Sequence, residues 1–186
     1  MSAEGINVTV NVDYFKVYDA LNKIPQKTRS VLRSAVNKTA RDARKMFSEK
    51  ARQVYDTKKI RVAEMKLIRA TKEDLTAHLK VQGNKRKLVE FRTRFTKHTT
   101  KARVLRESSM TPMKEDDRWA FRQGKDVMMR RLGPERYPIT LFSGLSVAQM
   151  LGSKERVYDQ VEPKAQEMLL KNIEAAIDKF LAKEAG

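Results

Sequence analysis

Apolar and small residues return every three or four positions at Leu32, Ala35, Val36, Ala40, Ala43, Phe47, Ala51 and Val54. This is the period of an α-helix with one apolar stripe, and a stripe this long dictates much of the fold, because something else in the chain must cover it. Pro25 suits a first helical turn, so the spacing predicts one basic helix over 25–54. A second stripe, from Val161, Ala165, Met168, Leu169, Ile173, Ala176, Ile177, Phe180 and Leu181, predicts a C-terminal helix over 157–184. Its simplest cover is a sheet or the first helix; docking on a partner is the other use.

Over 57–136 the helical period fades. Lys66–Ala70, Leu75–Gln82, Leu88–Phe91, Arg103–Arg106, Arg118–Arg122 and Val127–Arg131 carry strand signals, with turn residues at Gly83-Asn84, Thr111-Pro112, Gly124 and Gly133-Pro134. An antiparallel meander is the simplest arrangement. Before the long helix, residues 1–24 show period-2 alternation from Ile6 to Val12 and then a short helix from Asp13 to Asn22. After the strands, residues 137–152 form a Pro/Gly-bounded stretch in which Ser146 suits the cap of a single helical turn. The 186 residues therefore form one α+β domain in which an antiparallel sheet is packed by a long N-terminal and a long C-terminal helix.

Charge separates the same regions. Forty Lys and Arg face 23 Asp and Glu, and the net charge of +17 is uneven: +6 over residues 1–52, +12 over 53–140 and −1 over 141–186. A basic surface seeks anions, and the near-neutral last quarter has another duty. The densest run, Lys85–Arg106, holds nine basic groups against Glu90 alone. If Phe91–Lys101 is a hairpin or long loop, Arg92, Arg94 and Lys97 emerge on one side. With Lys101 and Arg103 they are the candidates for facing a DNA backbone, through contacts that read no sequence. An acidic protein neighbour or plain solvent are the other uses of such a run. On the long helix, Arg33, Lys38, Arg41, Arg44 and Lys45 form a second basic face, with a solvated helix surface as the alternative.

Catalytic chemistry finds no foothold. Cysteine is absent, which removes thiolate sites and disulfides and suits a reducing cytoplasm. His78 and His98 stand alone, the seven glycines form no phosphate-cradling cluster, and Ser143 and Ser146 lack a neighbouring base. Glu115-Asp116-Asp117 reads as a charged turn neutralised by Arg118, since consecutive side chains diverge. No catalytic residue, metal ligand or cofactor is expected. No apolar run approaches the roughly 18 residues of a spanning helix, and no basic region precedes an apolar block at the N-terminus, so neither membrane insertion nor secretion is expected.

Two stretches go beyond composition. Ala35-Val36-Asn37-Lys38-Thr39-Ala40-Arg41-Asp42-Ala43-Arg44, and the more specific Arg136-Tyr137-Pro138-Ile139-Thr140-Leu141-Phe142-Ser143-Gly144-Leu145-Ser146-Val147-Ala148-Gln149-Met150-Leu151-Gly152, resemble the minor tail protein Z family of long-tailed bacteriophages, the tail completion proteins. The resemblance runs from about Leu21 to Gly152. It implies a non-enzymatic virion component, made in the bacterial cytoplasm, at the head-proximal end of the tail. Its partners would be copies of itself in a ring of about six, tail terminator or tail tube proteins, and head connector proteins. Such proteins make the tail competent for head joining and help the genome end descend, so a basic lining would hold packaged double-stranded DNA without reading it. Within the second stretch, Pro138, Ile139, Val147, Met150 and Leu151 serve either the fold or a subunit or partner interface, and docking is the expected use. A Val147→Asp, Met150→Asp pair would then leave folded monomer that cannot join tails. The reading from charge alone is a free-standing, non-specific nucleic-acid-binding protein of the cytoplasm.

Overall fold

The computed structural model describes residues 26–57, 60, 64–115, 117–124 and 127–184, and the strand and short helix expected before residue 25 lie outside them. The first stripe is realised as helix α1, Gln26–Val54. Leu32, Ala35, Val36, Ala43, Phe47 and Ala51 are all buried along it. The second stripe is helix α3, Asp159–Glu184, entered through a π-helical turn at Lys154–Tyr158. The two helices run antiparallel. Phe47 meets Tyr158 at one end, with ring centroids 6.0 Å apart, Val36 packs on Leu169 in the middle, and Leu32 meets Ile173 at the other end. Polar contacts fix the register: Asn172 Nδ2 donates to Thr39 Oγ1 at 2.9 Å, and Lys38 Nζ donates to Asn172 Oδ1 at 2.9 Å.

The fold is α+β, but its strands do not make one meander. Among the described residues they form four small antiparallel sheets. Strands β1 (Met65–Ile68) and β2 (His78–Val81) pair alone. Strand β3 (Arg92–Phe95) pairs with β4 (Thr100–Arg103), and β4 with β5 (Thr111–Pro112). Strand β6 (Lys114–Glu115) pairs with β7 (Arg118–Trp119). Strands β8 (Phe121–Gln123), β9 (Val127–Arg131) and β10 (Ile139–Leu141) form the last sheet in the order β10-β9-β8.

Specific residues explain the departures. The run Arg118–Arg122 is broken at buried Ala120, whose N–H goes to Met113 O at 2.9 Å and whose carbonyl accepts from Thr100 Oγ1 at 2.6 Å, so the chain crosses from one sheet to the next there. Leu88–Glu90 is a 3-10 turn and not a strand. Leu88, Val89 and Phe91 are all buried, which strand alternation would prevent, and a helical turn turns Leu88 and Phe91 to one side. Thr111-Pro112, expected as a turn, is an edge strand, a place where proline's missing N–H costs little.

The main core gathers the last turns of α1 (Phe47, Ala51) with Tyr55 just after it, Met65 and Val81 of the first sheet, Phe91 before β3, Ala102 and Met128 of the larger sheets, and the short helix α2, Val147–Leu151. Ser146 caps α2 as expected: its hydroxyl accepts from Gln149 N at 3.2 Å while Gln149 Oε1 accepts from Ser146 N at 2.9 Å, a capping box. This burial corrects the docking assignment. Val147, Met150 and Leu151 are at most 2% exposed within a single chain and have no surface to offer a partner. Pro138, which follows a cis peptide bond, is exposed, and Ile139 is half-buried.

Candidate nucleic-acid interface

The Lys85–Arg106 run folds into the β3–β4 hairpin. Its tip is Lys97-His98, closed by Thr96 N to Thr99 O at 2.8 Å and by Thr99 N to Thr96 Oγ1 at 2.9 Å. The register pairs Arg92 with Arg103 and Arg94 with Lys101, while Thr93 opposes Ala102 and Phe95 opposes Thr100. Directly opposed residues of an antiparallel pair share a face. Ala102 and Thr100 are buried in the core, so the other face carries Arg92, Arg94, Lys101 and Arg103, with Lys97 exposed at the tip. All five sequence candidates are thus brought together.

This face is electrostatically unbalanced. Two successive cross-strand pairs are cation against cation, an arrangement that costs stability. Only Arg103 has an acid: its Nε donates to Asp56 Oδ2 at 2.7 Å, in a site where the two side chains are 24% and 13% exposed. Asp56 is positioned by the segment leaving α1, since Asp56 N donates to Val104 O at 2.8 Å and Arg92 N donates to Asp56 O at 3.0 Å. Arg103 therefore anchors the hairpin base and is not free for a ligand. Arg92, Arg94, Lys97 and Lys101 form no ion pair among the described residues. On the reverse face, the Arg122 guanidinium lies 5.5 Å from the Phe95 ring.

Of the second basic face, Lys38, Arg41 and Lys45 are exposed and Arg33 and Arg44 half-buried. Lys38 is turned toward α3 by its bond to Asn172, whereas Arg33 and Arg41 line a pocket with Arg69. Arg86, in the 3-10 approach, is committed to Glu64 at 2.9 Å and to Glu90 at 3.5 Å. Elsewhere, a cavity of about 520 Å³ lies between β4 and the Phe142–Leu145 loop. Ser108 and Ser143 line it beside Lys85 and Arg156, and among the described residues no carboxylate or imidazole does. The Lys114–Asp117 pair at 2.6 Å neutralises part of the acidic turn, and among the described residues no metal-binding group of His, Asp and Glu assembles. No described helix is long and apolar enough to cross a membrane.

Sequence reading missed a partly exposed apolar face on the β8–β9–β10 sheet. Met128 points into the core, so Phe121, Met129 and Leu141, which are register partners, turn outward together. Tyr137, at 63% exposure, extends it, and Arg131 stands 5.3 Å over the Phe121 ring. The signal lay in the alternation Val127, Met129, Arg131. A second such surface runs along α3, where Leu170, Ile177 and Leu181 are exposed on the side away from α1. Compared with protein-family models, curated proteins and solved structures, the chain matches none.

Proposed function

We propose that this chain is a non-enzymatic phage tail completion protein, built into the virion at the head-proximal end of the tail, where it takes part in head–tail joining and holds the end of the double-stranded genome by its phosphate backbone. The observation that carries the nucleic-acid part is the hairpin face, with two stacked like-charge pairs and four cations that form no ion pair among the described residues. Such a face is costly alone and is stabilised by a polyanion. The tail assignment draws its support from the likeness of the Ala35–Arg44 and Arg136–Gly152 segments to that family.

Self-association has a physical rationale as well. The outward sheet face is rimmed by Arg131 and Arg136, and the outward stripe of α3 is rimmed by Glu174 and Asp178. Two different apolar patches of opposite charge on one chain suit head-to-tail contact between copies, the kind of contact that closes rings. The residues for this role are Phe121, Met129, Ile139 and Leu141 on one side and Leu170, Ile177 and Leu181 on the other, with the terminator, tube and connector rings as further neighbours.

The test is duplex binding as a function of salt. Four phosphate contacts contribute about −0.9 each to the slope of log K against log salt, so Arg92→Gln, Arg94→Gln, Lys97→Gln and Lys101→Gln together should lower its magnitude by about three to four, equally for unrelated sequences. Particles assembled with this variant should leak genome or fail to inject. Unchanged slopes and infectivity would sink the reading. Native mass separates the alternative: rings or incorporation into purified tails support the tail role, and a monomer that coats DNA supports a free-standing cytoplasmic nucleic-acid-binding protein.

A further inference from the structure

A pocket of about 300 Å³ opens between α1 and the segment leaving β1, lined by Arg33, Ser34, Asn37, Arg41, Arg69 and Ala70. We infer that it is a phosphate-group binding site, separate from the hairpin and independent of the tail assignment. Arg33, Asn37 and Arg41 follow one another at i, i+4 and i+8 and so lie along one side of the helix, the two arginines two turns apart. Asn37, between them, grips the backbone of Ala70 twice: its Nδ2 donates to Ala70 O at 3.1 Å, and Ala70 N donates to its Oδ1 at 2.9 Å. That double bond to the next residue holds the backbone beside Arg69 against the helix at the level of Asn37, and Arg69 lines the pocket with Arg33 and Arg41.

Three guanidiniums around one cavity repel one another, and none of the three has an ion pair among the described residues. Among the described residues, no acid lines the pocket. Asp42 faces about 100° away around the helix from Arg41. Asp74, in the loop after β1, is engaged by Thr76, whose N–H donates to Asp74 Oδ1 at 2.9 Å; hydrogen bonding from Thr76 also holds that carboxyl below its ordinary range. The planar fork of arginine matches tetrahedral oxyanions in a bidentate manner, and the Ser34 hydroxyl adds one further donor. The chemistry recognised is a phosphate group, either free or within a nucleic-acid backbone.

The full chain, labelled for detection of arginine Nε–H signals, distinguishes the sources. Inorganic phosphate at constant ionic strength should shift Arg33, Arg41 and Arg69 together and saturably, and Arg69→Gln, an exposed position, should weaken that binding by about tenfold while leaving the thermal midpoint in phosphate-free buffer unchanged. If a 20-base-pair duplex gives the same saturable shifts, and still does so with Arg92 and Arg94 replaced by Gln, the phosphate is that of a backbone. Saturation by inorganic phosphate but not by duplex assigns a free phosphate. Shifts that chloride reproduces at equal ionic strength, or no saturation with either probe, overturn the inference.

Discussion

The Arg92–Arg103 hairpin and the Ile139–Leu151 stretch were the two segments most conspicuous in the sequence, and they have opposite fates. The hairpin buries one face through Ala102 and Thr100 and leaves its cations outside. The second stretch, expected at an interface, sends Val147, Ala148, Met150 and Leu151 into the centre of the chain, and only its strand, β10, keeps a face toward solvent. A cluster of cations can satisfy itself only at a surface. A cluster of apolar groups is satisfied equally by a partner or by its own core, and here its own core has room.

The comparison breaks most visibly at Met150. Met150→Asp would bury an unpaired carboxylate at a fully buried position, and a loss of more than about 4 kcal/mol is expected, seen as failure to fold in circular dichroism and soluble yield. This reverses the expectation of folded monomer for the Val147→Asp, Met150→Asp pair; a folded, monodisperse Met150→Asp protein would return α2 to the interface. Gly144→Ala comes next. An added Cβ would stand 2.5 Å from Phe91 Cε2, so the Phe91 ring must move within the core, at a cost of about 1–3 kcal/mol by thermal or denaturant unfolding. Ser146→Ala removes the hydroxyl half of the capping box and should cost about 1 kcal/mol.

Much of this was legible because it depends on local period. The 3.6-residue stripes specified both long helices, since each must cover the other. Ser146 announced a cap. The alternation of Arg92 and Arg94 allowed a hairpin or a long loop over Phe91–Lys101, and the structure has the hairpin, with strands at Arg92–Phe95 and Thr100–Arg103 in place of the expected Leu88–Phe91 and Arg103–Arg106. What stayed hidden depends on distant partners. Nothing local at Ala120 says that its N–H and carbonyl will serve Met113 and Thr100 and divide one strand into two. Asp56 is an ordinary acid until the chain leaving α1 brings it to Arg103. Arg69 sits in no motif, and only the Asn37–Ala70 bonds, across 33 positions, bring it to Arg33 and Arg41.

The smallest expected change in stability is the sharpest test of the hairpin, because there stability and binding should move in opposite directions. Arg94 opposes Lys101 in register, and neither has an acid partner among the described residues. Arg94→Glu converts that like-charge pair into an opposite-charge pair at an exposed position, which should raise stability by a few tenths of a kcal/mol, on the scale of cross-strand pairs. The gain is electrostatic between exposed groups, so it should fade by 1 M salt, where the screening length is about 3 Å. Duplex binding should meanwhile fall by more than Arg94→Gln alone causes, since a carboxylate now repels the phosphates. Thermal melts at low and high salt, beside a binding titration, read both effects. If Arg94→Glu is destabilising at low salt, the cations of this face are already balanced and need no polyanion; if it stabilises while leaving binding intact, the phosphates lie elsewhere on the molecule.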